Sequence, residues 1–485
     1  MISRHFIDVP NADGTLRRVH YRKVGCGPPL LMVHQSPRSS AEYTDLMLRW
    51  AADFTCIAPD TPGFGDSQAL PHENPECEDY ADAVIAFLDA IGLAKVAAYG
   101  FHSGAIILVT AAKRHPERFS GIACGGYAVW TEAEKADFGA SYTPPFLPLP
   151  YGEHLAWLWG RLLEQSWFFP WYRATPGARL PMATDDPEKI HPVVMEVLAA
   201  GDSFRKGYAA VLRANRDVPG PGEPTPPVLI AAYDGDPLKA HLQRLGTVPE
   251  SWRVAPVETP AQLEAMARDW ALAHPAPHAE LAAGAVDEGF VTIAAGGFAG
   301  QVHWRGNLAA DTLFLHAPGS ALSAAPEGVL ALDMPGHGLS DAWGQASTHI
   351  TDWADVVRAT LADLGVAPAR IVGEGWAVVL AETLGGEAGP HPAGSVAGSV
   401  AAWRAHGCPQ LPPDRDGVYL LKAWRQVRAE VFFAPWFVVS AATARDFSPD
   451  ACGSERLAIR HLALMRATAA RPFLLACLDA QTHAG

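Results

Sequence analysis

Short apolar runs alternate with helically spaced segments over the first hundred residues of the chain. Residues 29–33, 54–58 and 96–99 are continuous apolar runs of strand length, which is typical of strands buried on both faces. Residues 80–91 instead place their apolar side chains at helical spacing. Strands and helices that alternate in this order predict a mostly parallel sheet with right-handed crossovers.

A different pattern begins near residue 130. Residues 130–220 are rich in Trp and Pro, and their apolar positions follow helical spacing, so we predict a helical cap inserted over the sheet. Strand patterns return at 226–232 and 252–257, and a closing helix is predicted at 260–273. Residues 1–277 are therefore predicted to form one complete α/β domain, a mostly parallel sheet with a helical cap.

The pattern of this domain restarts after a predicted linker at 278–288. The segment 333–340 repeats the pattern of 60–67, and residues 373–377 stand where residues 100–104 stood, both at an offset of 273. Such self-similarity at long period is typical of a duplicated unit.

The second half of the repeat matches at a different offset. Trp424 and Trp436 match Trp159 and Trp171 at a constant offset of 265. We therefore predict a tandem duplication, in which residues 289–485 form a truncated second copy with its own cap. This copy has no counterpart of residues 221–277, and it is expected to pack against the first copy; formation of a homo-oligomer is left open.

Composition excludes several classes of partner. Lys and Arg number 37 against 52 Asp and Glu, a formal net charge of −15, so we expect no binding to nucleic acid or to anionic membranes. The beginning of the chain has no apolar signal region, and nowhere do about 18 apolar residues run together. The seven cysteines are scattered and form no CxxC pair, which favours reduced thiols, a cytoplasmic location and no metal site.

Two motifs in the first domain carry candidate chemistry. Residues His34-Gln35-Ser36-Pro37 follow the first buried strand, and Gly100-Phe101-His102-Ser103-Gly104 follow the third. With the loop at 60–67, they resemble the α/β-hydrolase superfamily, whose nucleophile occupies a tight strand-to-helix turn framed by small residues. The resemblance covers nearly all of residues 1–277 and, more weakly, 289–485. It implies a hydrolase fold and a nucleophile position at His102, where the family usually has Ser, Asp or Cys.

The sequence departs from the family in a second way besides the His at the nucleophile position. Members usually carry a His after the last strand, but residues 255–260 contain none. His102 is therefore predicted to serve as both base and nucleophile, because a neutral imidazole is populated near pH 7. Two alternatives stay open: Ser103 as a nucleophile displaced by one position, and a site that has lost its activity.

The remaining site residues follow from the resemblance. It implies that the backbone N–H groups of Ser36 and Ser103 form an oxyanion hole, and that Asp236 or Glu258 orients His102, with Asp236 preferred. We expect substrate contacts from the residues that flank these groups: His34, Gln35, Phe101 and Glu258. For His34, a hydrogen bond that braces the loop is an equal alternative.

We therefore predict a cofactor-independent enzyme acting on a small, largely apolar ester, lactone or C–C bond substrate. The alternatives are a lyase that uses His102 as general base, and a non-catalytic protein that binds a ligand or acts as a scaffold. The second copy has Gly375 at the turn and lacks the strand that would carry the acid, so it is predicted to be inactive.

Overall fold

The computed structural model describes all residues except 221, 283, 345–348, 376, 389–410 and 471–485. The chain divides into two compact units. The first comprises Met1–Leu147 and Leu158–Ala285, and the second comprises Pro148–Trp157 and Val286–Gly485. The division between Ala285 and Val286 falls within the stretch 278–288 that was predicted as a linker.

The first unit contains an eight-stranded sheet in the order β1-β2-β4-β3-β5-β6-β7-β8, antiparallel at the β1 end and parallel from β4 to β8. This mixed sheet flanked by helices confirms the predicted fold class. Its strands are β1 (Ser3–Pro10), β2 (Leu16–Val24), β3 (Pro29–Val33), β4 (Thr55–Pro59), β5 (Val96–Phe101), β6 (Phe119–Gly125), β7 (Val228–Ala232) and β8 (Trp252–Pro256).

The helices of this part of the chain fall into two groups. Three connect the early strands and one closes the sheet: α1 (Thr44–Trp50), α2 (Cys77–Ala90), α3 (Ser103–Arg114) and α8 (Pro260–Ala273). The others lie between β6 and β7, where the cap was predicted: α4 (Glu132–Ser141), α5 (Glu153–Trp167), α6 (Pro187–Ala200) and α7 (Ser203–Arg213). No helix among the described residues is both long and apolar enough to cross a lipid bilayer.

Burial explains why the apolar runs became central strands. All five residues of β3 are buried, and so are the first five of β5, because helices cover both faces of a parallel sheet. One core cluster joins Leu30 and Met32 of β3 to Trp50 of α1, Tyr99 of β5 and Leu263 of α8. This packing holds the carboxyl ends of β3 and β5 side by side.

In the part of the second unit that the structure describes, six strands form a sheet in the order β14-β13-β11-β12-β10-β9. Written from the other edge, this order is the order of β1 to β6 in the first sheet. Its strands and helices are β9 (Glu288–Ala295), β10 (Phe298–Gly306), β11 (Thr312–Leu315), β12 (Leu330–Leu332), β13 (Arg370–Gly373), β14 (Glu387–Ala388), α9 (Ile350–Leu364), α10 (Ala377–Thr383), α11 (Val418–Phe432) and α12 (Ser454–Arg466). The order supports the predicted duplication, which stays a prediction.

Candidate active site

The turn between β5 and α3 requires small residues on both sides of His102. A Cβ atom on Gly100 would lie 2.7 Å from the carbonyl oxygen of Gly104, and one on Gly104 would lie 1.9 Å from that of Val33. His102 itself has φ 47° and ψ −110°, a backbone conformation that costs free energy for any residue with a side chain. The Gly-x-His-x-Gly frame is therefore a steric requirement of this turn.

The His102 ring lies between an aromatic ring and a glycine backbone. It stacks on Phe101 with ring centroids 4.1 Å apart. A Cβ atom on Gly126 would clash with Cδ2 of His102, so only glycine leaves room for the ring there. The pair Gly125-Gly126 at the end of β6 was an unused sequence signal for this close approach.

The side chains of Asp236 and His102 are in contact at the end of the sheet. Nε2 of His102 lies 3.1 Å from Oδ1 of Asp236, and the side chains are 23% and 0% exposed. The backbone N–H of Leu238 also donates to Oδ1 at 2.8 Å. Because a carboxylate accepts the Nε2–H proton, the neutral ring keeps its lone pair on Nδ1.

Glu258, the other acid considered, lies elsewhere. It is exposed, and it lines an open depression of about 940 Å³ with Lys239, Met266 and Trp270, whose lining does not include His102. Its backbone N–H donates to Gln262 Oε1. Among the described residues, the structure thus brings Asp236 and not Glu258 to the imidazole.

Ser36 and Ser103 lie against each other. The Ser36 N–H donates to Ser103 Oγ at 2.5 Å, and the Ser103 hydroxyl donates to Ser36 Oγ at 3.1 Å. The N–H group that was expected to bind a substrate oxygen is therefore occupied by the Ser103 hydroxyl in this structure. A substrate oxygen would have to displace that hydroxyl.

His34 joins two loops by hydrogen bonds from both ring nitrogens. Its Nδ1–H donates to the carbonyl oxygen of Gln35 at 3.0 Å, and its Nε2 accepts the Thr61 N–H at 3.0 Å. Burial lowers the pKa of His34, which keeps the ring neutral, as this pattern requires. The geometry matches the bracing alternative rather than a substrate contact.

Two carboxyl groups that were not predicted to belong to the site, Glu42 and Glu196, lie close to Arg38 just after the His34–Pro37 loop. Burial raises the pKa of Glu42 to about 8, and its Oε2 has no hydrogen-bond partner among the described residues. Nearby, Arg38 and the Ser39 N–H bind Glu196 of α6. The contacts with Glu196 attach the segment after the His34–Pro37 loop to α6, and the sequence pattern did not indicate this pairing of residues 158 positions apart.

The described residues contain one group with the spacing of metal ligands. The ligand atoms of His20, Asp60 and Asp66 lie within 4.8 Å of one another. The Asp60 carboxylate already accepts the Ser40 and Asp66 N–H groups and lies 2.9 Å from Nδ1 of His20. Since these hydrogen bonds satisfy the carboxylate and hold the loop, the cluster is explained as loop structure.

Comparison with known proteins agrees with this architecture. Residues 28–243 match the model of the α/β hydrolase fold family. This part of the chain is therefore similar to the α/β-hydrolase family, and all of it except residues 148–157 belongs to the first unit.

Curated relatives include haloalkane dehalogenase 2 of Mycobacterium tuberculosis, 31% identical over 136 residues, which are 27% of this chain and 48% of the relative. A haloalkane dehalogenase of Mesorhizobium japonicum is 26% identical over 50% of this chain and 72% of its own. A solved Vigna radiata epoxide hydrolase mutant aligns with a TM-score of 0.44 and 16% identity, over 56% of this chain and 99% of its own. The chain spans about half the length of the curated relatives it first matches.

Proposed function

We propose that the first unit is a hydrolase that acts on a small, largely apolar ester, lactone or C–C bond substrate, with His102 as its reactive group. The observation that carries the proposal is the position of the imidazole. It occupies the strained turn at the end of the central strand, is partly exposed, and has its Nε2 bound to a fully buried carboxylate. The strained backbone of His102 costs free energy, and such strain beside a buried titratable partner is typical of functional sites.

In the proposed mechanism, Asp236 holds the tautomer in which Nδ1 is unprotonated. Nδ1 takes a proton from a water molecule while the water oxygen attacks the substrate carbonyl carbon. The buried carboxylate stabilises the imidazolium that forms. The imidazolium then returns the proton to the leaving group as the carbonyl reforms. Direct attack by Nδ1 on the carbonyl carbon is the other form of the same proposal.

Negative charge on the carbonyl oxygen would be met by the N–H groups of Ser36 and Ser103, once the Ser103 hydroxyl has moved aside. Each such donor contributes about 10²–10³ in rate. The occupied Ser36 N–H favours a second candidate, a lyase in which His102 only removes a proton, since proton abstraction depends less on that donor.

The relatives support the class and not the substrate. They are named haloalkane dehalogenases and hydrolases. The proposed steps use only protein groups and water, so we propose that the reaction needs no cofactor. We also propose a cytoplasmic location, on the composition of the chain. In the second unit the turn carries Gly375, which offers no reactive group, so this unit is proposed to be non-catalytic.

The proposal is tested with His102→Ala on a panel of aryl esters and small lactones. We expect kcat/KM to fall by about 10²–10⁴, the usual contribution of a positioned general base, with an unchanged circular dichroism spectrum. His115→Ala, at the other end of the same helix, is the matched control and should retain activity. Full activity of His102→Ala would refute the role, and labelling of Ser103 by an organophosphonate would transfer the nucleophile to that serine.

A further inference from the structure

The cap of the first unit contains a buried arginine without a carboxylate partner. Arg161 of α5 is only 2% exposed. Its guanidinium lies over the rings of Trp171 and Phe204, 5.3 and 5.7 Å from their centroids. Its Nη1–H donates to Gln165 Oε1 at 2.8 Å, and no acidic side chain among the described residues forms an ion pair with it.

Two nitrogens of this guanidinium, Nε and Nη2, are buried and have no hydrogen-bond partner among the described residues. In a guanidinium group, the N–H bonds of Nε and Nη2 point to the same side and form a fork. That fork matches the two oxygens of a carboxylate. The unsatisfied atoms thus constitute one complete recognition edge, while the satisfied nitrogen lies on the other side.

The neighbouring hydroxyl groups do not supply the missing negative charge. The hydroxyls of Tyr142 and Tyr208 lie 3.1 Å apart and act electrostatically on Arg161. Burial raises the pKa of Tyr142 well above its ordinary value and also raises that of Tyr208, so both are neutral. Trp171, Phe204, Tyr142 and Tyr208 together form the cage around Arg161. An unpaired buried cation is costly, and an anion that entered this cage would remove that cost.

The cage is connected to the loops of the candidate active site. Tyr208 follows Gly207, and a Cβ atom on Gly207 would lie 2.4 Å from the Phe64 ring. Phe64 in turn packs edge-on against His34, with ring centroids 5.4 Å apart. Of the groups that contact the guanidinium, Trp171 and Gln165 are half-buried, whereas Phe204 is buried.

We propose that Arg161 binds the carboxylate of an organic acid whose apolar or aromatic body lies among the cap rings. The substrate of the proposed hydrolase would then be a small ester or lactone that also bears a free carboxylate. This inference rests on the proposed hydrolase function. The Nε and Nη2 atoms are covered in this structure, so the Trp171 ring must move when the acid enters. The charge provides affinity and orientation, and His102 carries out the reaction.

Binding is tested by calorimetry with 3-phenylpropionate and its uncharged analogue 3-phenylpropanamide. The wild type should bind the acid at least tenfold more tightly than the amide, and Arg161→Met should abolish this difference. Arg173→Met is the matched control, because Arg173 is an exposed cap arginine paired with Asp137, and it should keep the difference. Arg161→Lys keeps the charge without the fork and should bind the acid at least tenfold more weakly than the wild type.

The variant His102→Ala separates this inference from the proposed function. It should bind 3-phenylpropionate as the wild type does, whether or not His102 is catalytic. Equal binding of acid and amide by the wild type, or undiminished acid binding by Arg161→Met, would overturn the carboxylate site. If Arg161→Met does not fold, the lysine variant decides. Competition by sodium phosphate or chloride at the same concentration as the acid would overturn the assignment to an organic carboxylate.

Discussion

Asp60 in the first unit and Asp333 in the second hold their loops by corresponding hydrogen bonds. Asp60 lies 2.9 Å from Nδ1 of His20, and Asp333 lies 2.8 Å from Nδ1 of His303. Each carboxylate also accepts the N–H of a residue six positions further along, Asp66 or Leu339. Two isolated bridges also correspond, Phe168–Arg179 and Phe433–Ala444, at an offset of 265.

The two units differ where chemistry would occur. The turn after the central strand carries His102 at φ 47° in the first unit and Gly375 at φ 61° in the second. Asp236 follows β7, and the second sheet has no strand at the corresponding place among the described residues. The loop scaffold therefore belongs to the fold, whereas the strained histidine and its acid belong to the proposed activity.

The largest expected effect tests this separation with Asp60→Asn and Asp333→Asn. Each change breaks a buried ion-paired network, so each should lower the unfolding free energy of its own unit by roughly 3–5 kcal/mol. Only Asp60→Asn should also slow ester turnover, because Thr61, the next residue, holds His34. Hydrogen exchange of peptides covering 55–68 and 330–341 measures the two losses separately.

Equal losses of turnover in both variants would mean that the second unit contributes to the reaction. A loss of stability in one variant alone would show that the corresponding hydrogen bonds do not have equal weight, and it would weaken the case for duplication.

The unfolding free energies of the two units should depend differently on pH because of Glu42, whose pKa is raised to about 8 by burial. The N–H groups of Ser40 and Leu322 occupy corresponding places, because each binds the loop aspartate of its own unit. Two residues further along, the first unit has Glu42 and the second has Ala324. Between pH 4.5 and 8 the folded first unit keeps a proton that the unfolded chain releases. Its unfolding free energy therefore falls as pH rises, by an amount on the order of a few kcal/mol.

Glu42→Gln should remove this decline in the first unit and leave the second unit unchanged. Hydrogen exchange of peptides from α1 and α9 at pH 5 and pH 8.5, corrected for the intrinsic exchange rate, gives the two slopes. The same decline in the glutamine variant would assign the pH dependence to another group.

The strands and the frame of the turn could be predicted from the sequence because both depend on local pattern. The apolar runs at 29–33 and 96–99 lie on strands, and the run at 54–58 lies on β4 except for its first residue. The small residues around His102 are fixed by the turn itself. Strand β6 was not predicted. Its sequence, FSGIACG, mixes Ser and Gly with short apolar residues, and it becomes a strand because it lies between β5 and β7.

The site was predictable only in part, for a physical reason. Asp236 could be placed because an acid after that strand is a property of the fold. The occupation of the Ser36 N–H by Ser103 Oγ joins residues 67 positions apart. The isolation of Arg161 depends on rings from three separate segments. Neither leaves a periodicity or a spacing in the sequence, since both arise from tertiary packing.

The smallest expected effect concerns the turn of the second unit, and Gly375→Ala tests it. At φ 61° a Cβ atom is strained, and it would also lie 3.1 Å from Cβ of Ala317, so the second unit should lose about 1–2 kcal/mol of unfolding free energy. Hydrogen exchange of peptides covering β13 and α10 measures this loss, while ester turnover should stay at the wild-type rate.

Because His102 bears the same kind of strain with a larger side chain, a measured cost at Gly375 would show what the first unit gives up in stability to hold an imidazole there. A neutral result would mean that this backbone conformation is inexpensive, and strain would then no longer support a catalytic role for His102.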